Sequence, residues 1–219
     1  MMKVLILGAT GRTGKFLVEK ALEKGYQVVC LVRNAKKLSP AENLTILEGN
    51  PVDPEALENA INGCEILISA LNISRNSDFP WSKLRTPKTY LSDVIGKLVD
   101  TAKKHSANRI IVCSAWGVLE SRKDLPFWFR WMIDYSNIGI AYKDHERQEQ
   151  LLEASGLDWT IVRPVGLTNT HKVQKVKETY NNMPKPSLLI GRRTVANYMV
   201  NAIENRWLFR KKVVISKLG

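Results

Sequence analysis

Cysteine is scarce: three residues in 219, too few and too scattered for a disulfide scaffold or a paired-cysteine zinc site. Cys30, Cys64 and Cys113 each sit in or beside an apolar run, so they read as buried free thiols with no neighbours that would activate them. No stretch approaches the roughly 18 apolar residues of a membrane-spanning helix, and the amino terminus enters a strand-like run directly, without a signal peptide's charged and apolar regions. A cytoplasmic location with no membrane partner is therefore expected. Acidic residues are in deficit, 21 against 33 lysines and arginines, leaving a net charge of +12. Such a surface attracts anions, but the basic residues are spread along the chain (Lys36, Lys37, Lys103, Lys104, Arg192, Arg193, Arg210, Lys211, Lys212), as on a solvated surface rather than a nucleic-acid site. There is no internal repeat, low-complexity tract or dividing linker, and no metal-ligand set, so one domain over residues 1–219 is expected.

What is present is an alternation of two periodicities. Lys3 to Leu7 is an apolar run ending in a glycine loop, and Gly14 to Glu23 then carries Phe16, Leu17, Ala21 and Leu22 at helical spacing. Gly25 stops that helix, and Gln27 to Val32 is a valine-rich run typical of a buried parallel strand. The pattern continues with strands over Leu44 to Leu47, Glu65 to Leu71, Arg109 to Cys113, Trp159 to Val162 and Lys212 to Ile215. Helices are predicted over Pro54 to Ile61, Tyr90 to His105, Lys143 to Ala154 and Thr194 to Glu204. Strands separated by helices imply an α/β fold of Rossmann type, a doubly wound parallel sheet with helices on both faces. Two polar or aromatic stretches break the alternation, Asn72 to Thr89 and Gly117 to Ala141; both follow strands that end on the ligand-binding edge of such a sheet, which makes them candidate pocket walls.

Gly8, Gly11 and Gly14 form a G-x-x-G-x-x-G loop between the first strand and helix, so backbone N–H groups and the helix dipole converge there on a dinucleotide pyrophosphate. Thr10 and Thr13 add hydroxyl donors. A nucleotide-hydrolysing P-loop is excluded, because Lys15 is followed by Phe16 rather than Ser or Thr and the glycine spacing differs. NAD binders usually place an acid at the end of the second strand; this chain has Arg33 there, with Arg12 in the loop nearby, which favours the 2′-phosphate of NADP(H) over NAD(H). On this reading residues 1–165 form the dinucleotide-binding core and 166–219 a small cap with the final helix and strand.

Three segments, the run from Lys3 to Gly14, Leu-Val-Arg-Asn at 31 to 34 and Ser-Gly-Leu-Asp-Trp-Thr-Ile-Val-Arg-Pro at 155 to 164, resemble the atypical short-chain dehydrogenase/reductases of the NmrA-like and biliverdin reductase B (flavin reductase) group. The resemblance covers nearly the whole chain. It implies contacts of Asn50, Pro51 and Val52 with adenine, Asn50 standing where many relatives have aspartate, and of Ala70, Leu71 and Asn72 along the cofactor. It also implies Ser114 near the nicotinamide, with Pro164, Val165 and Gly166 closing over it.

The Tyr-x-x-x-Lys pair of typical reductases is missing. With Lys143 in the lysine's role Gly139 falls where the tyrosine belongs; aligning instead by Glu149 puts His145 and Ala141 in the two positions, and Tyr142 is out of register. The biliverdin/flavin reductase resembles this chain in lacking the tyrosine and carrying a histidine on that helix. If the chain turns over substrate, Ser114 is the expected hydrogen-bond donor to substrate or nicotinamide and His145 an acid or ribose contact; an exposed helix residue is the alternative for His145. Trp116, Phe127, Trp128 and Trp131, with Phe129 and Met132, are candidates for stacking a planar acceptor, although core packing or a subunit contact fits the same pattern. Two functions remain. One is an NADPH-dependent reductase of a small conjugated acceptor (flavin, tetrapyrrole or quinone-like). The other is a non-catalytic NADP(H) sensor acting through a macromolecular partner. A monomer or homodimer is expected, with nucleic acid disfavoured as partner.

Overall fold

The computed structural model describes residues 1–105 and 107–219. Its central sheet runs in the order β3-β2-β1-β4-β5-β6-β10-β8. The parallel strands are β1 (Lys3–Leu7), β2 (Gln27–Val32), β3 (Leu44–Glu48), β4 (Ile66–Ser69), β5 (Arg109–Cys113), β6 (Asp158–Pro164) and β10 (Lys211–Lys217). Among the described residues the edge strand β8 (Val176–Thr179) is the one strand of this sheet that runs antiparallel, against β10. Val4 and Ile6 of β1 join one apolar core, Leu5 and Leu7 the other, because successive side chains point to opposite faces. The first core is closed by α1 (Gly14–Glu23) and α6 (Arg192–Asn201), the second by α2 (Pro54–Ile61), α3 (Tyr90–Lys104) and α5 (Ile138–Glu153). Being covered on both faces is why the inner strands, unlike the edge strand β3, read as continuous apolar runs. This is the doubly wound Rossmann-type architecture, in a single domain. No helix among the described residues is long and apolar enough to cross a membrane.

The departures from the sequence reading lie where packing overrides local pattern. Helix α5 begins at Ile138, five residues before the predicted start. Gly139 allows this: a Cβ there would lie 2.2 Å from the Ile133 carbonyl oxygen, so only glycine lets the start of α5 fold back on α4 (Phe127–Asp134). Helix α4 itself falls in the segment left outside the alternation. Helix α6 runs over 192–201 rather than 194–204. Three strands of three or four residues, β7 (Gly166–Thr168), β8 and β9 (Leu189–Gly191), were invisible in polar sequence; β7 and β9 pair with each other as a separate parallel ladder. Within the segment expected as a cap with the final helix and strand, β10 is that strand, and the unexpected β8 joins the main sheet beside it.

Candidate functional site

The strand order reverses between β1 and β4, and the glycine loop sits at that switch point. Gly8 adopts φ +82°, and a Cβ on it would approach the Ala70 carbonyl carbon and oxygen at 2.9 Å. A Cβ on Gly14 would fall 2.0 Å from the Gly8 oxygen, while the Gly11 N–H donates to that same oxygen at 2.9 Å. The loop is therefore a turn that only glycine can close, pressed against the start of α1. Thr13, the residue before α1, makes no side-chain cap, and among the described residues no protein acceptor takes the N–H of Arg12 or Thr13. Free N–H groups at a helix start and backbone kept bare of Cβ atoms fit a pyrophosphate.

Above the loop opens a cavity of about 360 Å³. Its walls include Gly8, Thr10, Gly11, Arg12 and Thr13 from the loop, Arg33 after β2, Pro51, and Ala70, Leu71 and Asn72 after β4. Ser114 after β5 and His145 of α5 complete the far side. Asn50 and Val52 line an adjoining cavity of about 660 Å³, and Arg33 and Tyr90 belong to both cavities. Gly14, Pro164 and Val165 do not reach either wall; Val165 is buried with its N–H donating to Ile215, and Leu167 of β7 lines the cavity instead. Of the two proposed walls, Asn72–Thr89 lines both cavities, whereas Gly117–Ala141 lines neither.

The four aromatic residues expected to line a substrate pocket are placed elsewhere. Trp116 is buried in the core, where its carbonyl accepts the Tyr142 hydroxyl at 3.0 Å. Phe127, Trp128 and Trp131 lie on the outer surface of α4, more than half of Phe127 and Trp128 being open to solvent. They face out because Ile133 is the residue of α4 buried against the core.

Ser114 also differs from expectation. Its hydroxyl donates at 2.5 Å to Glu149, a fully buried carboxylate that accepts Arg163 Nε at 3.0 Å and Nη2 at 2.5 Å; Arg163 reaches on to Glu120 at 2.6 Å. With its proton committed to Glu149, the group Ser114 offers the cavity is an oxygen lone pair, an acceptor rather than a donor. His145 is buried, not exposed, and lies at the cavity wall. Gln148 Nε2 stands 3.1 Å from its Nδ1, so Nδ1 accepts and the ring proton sits on Nε2. Burial pushes its pKa down to about 4 against the opposing pull of Asp144, and the ring is neutral at pH 7. Asp144 is itself engaged elsewhere, accepting the Leu91 N–H at 2.7 Å and the Ser92 hydroxyl at 2.6 Å, and so caps α3 from a neighbouring helix where Thr89 supplies no cap. Lys143 is exposed and outside both cavities. Burial raises the Tyr142 phenol, which is turned to Trp116. Cys113 lines the cavity as a thiol that burial pushes up to about 12; burial likewise raises Cys30 to about 12 and Cys64 to about 11. Thiolate chemistry is disfavoured at all three.

Several site residues had no separate signal in the sequence. Arg75, Asp78 and Arg192 join Arg12 and Arg33 around the cavity, giving it four arginines and one carboxylate. Arg12 holds Asp78 in a bidentate pair at 2.8 Å, strapping the glycine loop to the segment after β4 and keeping the Asp78 carboxyl below its usual range. Arg75 is partly desolvated, and its Nε finds no partner among the described residues. The buried Glu149–Arg163 pair had one sign, an arginine set in the apolar run Trp-Thr-Ile-Val before Pro164, which has to be paired if it is buried.

Comparison with known proteins agrees with this geometry. Residues 8–206 match the family described as NAD(P)H-binding. The photosystem II assembly factor Ycf39 of Synechocystis sp. is 38% identical over 96% of this chain and 61% of its own length. The chain spans about half of the curated relatives it matches, from 46% to 61% of the Ycf39 sequences of Cyanophora paradoxa, Trieres chinensis and Synechocystis. Among solved structures, ChuY, an anaerobilin reductase from Escherichia coli O157:H7, superposes with a TM-score of 0.81 at 20% identity, covering 99% of this chain and 97% of its own. A short-chain dehydrogenase/reductase from Veillonella parvula, solved with NADP, gives 0.80 at 19% identity over 100% and 95%. At such identities the likeness is one of fold.

Proposed function

Because this chain belongs to the NAD(P)H-binding family, we propose that it is an NADPH-dependent reductase acting on a small conjugated acceptor, a flavin, tetrapyrrole or quinone, in the cytoplasm. The observation that carries the reading is the convergence on one arginine-rich cavity of the bare glycine loop, Arg33, Ser114 and His145. The N–H groups of Arg12 and Thr13 would hold the pyrophosphate. Arg33, which follows β2 at the position where NAD binders usually carry an acid, would pair with the 2′-phosphate and set the preference for NADP(H). A bound nicotinamide supplies a hydride. Ser114 accepts a hydrogen bond from a ligand group, and His145 donates one through Nε2. Neither is an acid near neutrality, so the proton that accompanies the hydride comes from water, which suits acceptors whose conjugation stabilises added charge.

The test is NADPH oxidation at 340 nm with flavin mononucleotide, biliverdin and a series of quinones, together with calorimetric titration of NADPH. Oxidation that depends on one acceptor supports the reading. Tight NADPH binding with no turnover on any of them sinks it and favours a second reading, an NADP(H)-responsive protein acting through a macromolecular partner. That second reading draws on the commitment of the Ser114 hydroxyl and Tyr142 to internal bonds and on relatives named as assembly factors.

A further inference from the structure

Residues 74–85 form a hairpin outside the main sheet, with Arg75 bridged antiparallel to Leu84, Asn76 N–H donating to Lys83 and Arg85 N–H to Ser74. Its tip, Phe79-Pro-Trp-Ser, is latched to the start of α5: Trp81 Nε1 donates to the Tyr135 carbonyl at 2.7 Å, and Asn137 Nδ2 to the Trp81 carbonyl at 2.9 Å. Around this latch the aromatic rings form a chain, Phe79 to Trp81 at 5.3 Å, Trp81 to Trp131 at 6.4 Å and Trp131 to Tyr135 at 5.6 Å. Phe127 and Trp128 extend it along α4, since positions 127, 131 and 135 fall on one helical stripe. All six of these large side chains are exposed. Six large exposed rings gathered on one face of a protein that folds around two cores of its own mark a docking surface.

We propose that this face docks on the surface of an anionic lipid bilayer. Indole and phenol rings favour the headgroup boundary, where one edge is apolar and the other wet, and three of the six exposed rings are Trp and one is Tyr. The charge at the rim is complementary to such a surface. Lys83, Arg85 and Lys88 are exposed on the returning half of the hairpin and its continuation, Arg85 also lining the second cavity. No acid occurs between Phe79 and Thr89; Asp78 and Asp134, which adjoin the aromatic residues in sequence, are paired with Arg12 and Arg122, and Asp93 beyond Thr89 accepts the Thr89 hydroxyl. A second copy of the chain would bring another +12 and the same basic rim against this one, which disfavours self-association through it. The lack of a spanning run, which led to the expectation of no membrane partner, concerns insertion across a bilayer and leaves docking on its surface open.

The test is co-sedimentation with vesicles of equimolar phosphatidylcholine and phosphatidylglycerol, read together with the tryptophan emission maximum. Wild type should sediment with the mixed vesicles and shift to the blue, bind pure phosphatidylcholine far less, and be released by salt. The double variant Trp128→Ser/Trp131→Ser, at exposed positions of α4 of which Trp131 also packs on Trp81 and Tyr135, should bind about tenfold more weakly while its far-UV circular dichroism shows the fold retained. Phe79→Ser should weaken binding from the hairpin side, and Trp207→Ser, remote on the exposed segment before β10, should not. No sedimentation of wild type, or equal binding by the double variant, would overturn the proposal. So would a dimer that dissociates on Trp128→Ser/Trp131→Ser, or capture by an acidic protein in place of lipid. Failure of the reductase reading would leave the vesicle result unchanged, because the assay needs neither cofactor nor turnover.

Discussion

Replacing Glu149 by Gln should cost this protein about 3 kcal/mol, although Glu149 lies beside the cavity wall rather than on it. The carboxylate is fully buried and receives three hydrogen bonds, one from Ser114 and two from Arg163. The Arg163 side chain is 3% exposed, so loss of its buried partner leaves a desolvated cation. Breaking a buried pair from one side costs about 3–5 kcal/mol; Arg163 keeps Glu120, itself half open to water, which places the loss at the lower end. For a chain of this length that corresponds to a fall of about 6–12 °C in Tm. Urea unfolding followed by circular dichroism measures it. Glu149→Met/Arg163→Met should be more stable than Glu149→Met alone, since the double change leaves no orphaned charge. A loss below about 1 kcal/mol for Glu149→Gln, or a double variant worse than the sum of its parts, would refute the reasoning.

Arg33→Asp should weaken NADPH binding about a hundredfold while changing NADH binding far less, by calorimetry; equal losses would remove the 2′-phosphate assignment. Gly14→Ala, which sets a Cβ 2.0 Å from the Gly8 oxygen, should displace the loop from α1 and abolish calorimetric binding of both cofactors; retained affinity would mean that the loop is not the site. His145, held near a pKa of 4 in the fold against 6.5 when free, makes the unfolded chain the better proton acceptor. Its contribution to stability is full above pH 6.5 and is lost at about 1.4 kcal/mol per pH unit as pH falls toward 4. Urea unfolding across that range should show this slope in wild type and a shallower one in His145→Asn; identical slopes would count against a buried neutral imidazole.

The sequence by itself determined the parts of this protein written in short-range order. The inner strands β1, β2, β4, β5, β6 and β10 were legible as valine-, isoleucine- or leucine-rich runs, because a strand covered on both faces has to be apolar through its middle, whereas the edge strand β3, with no buried residue, was legible from its three aliphatic residues alone. The glycine loop was legible because Gly8 and Gly14 occupy positions where a Cβ has no room, which leaves little choice of residue. Helix α5 was only partly legible, since its first turn depends on α4 packing over Gly139. What the tertiary structure alone decided is where side chains with two plausible fates end up. Ser114 and Glu149 are 35 residues apart, and only the meeting of β5 with α5 turns the hydroxyl from a donor to substrate into a donor to a buried carboxylate. The aromatic run at 127–131 reads the same whether it lines a pocket or covers a surface; Ile133 took the core-facing position, and the tryptophans were left outside. Local pattern fixes how apolar a segment is, whereas the face that apolarity turns to is fixed by the neighbours that compete for the core.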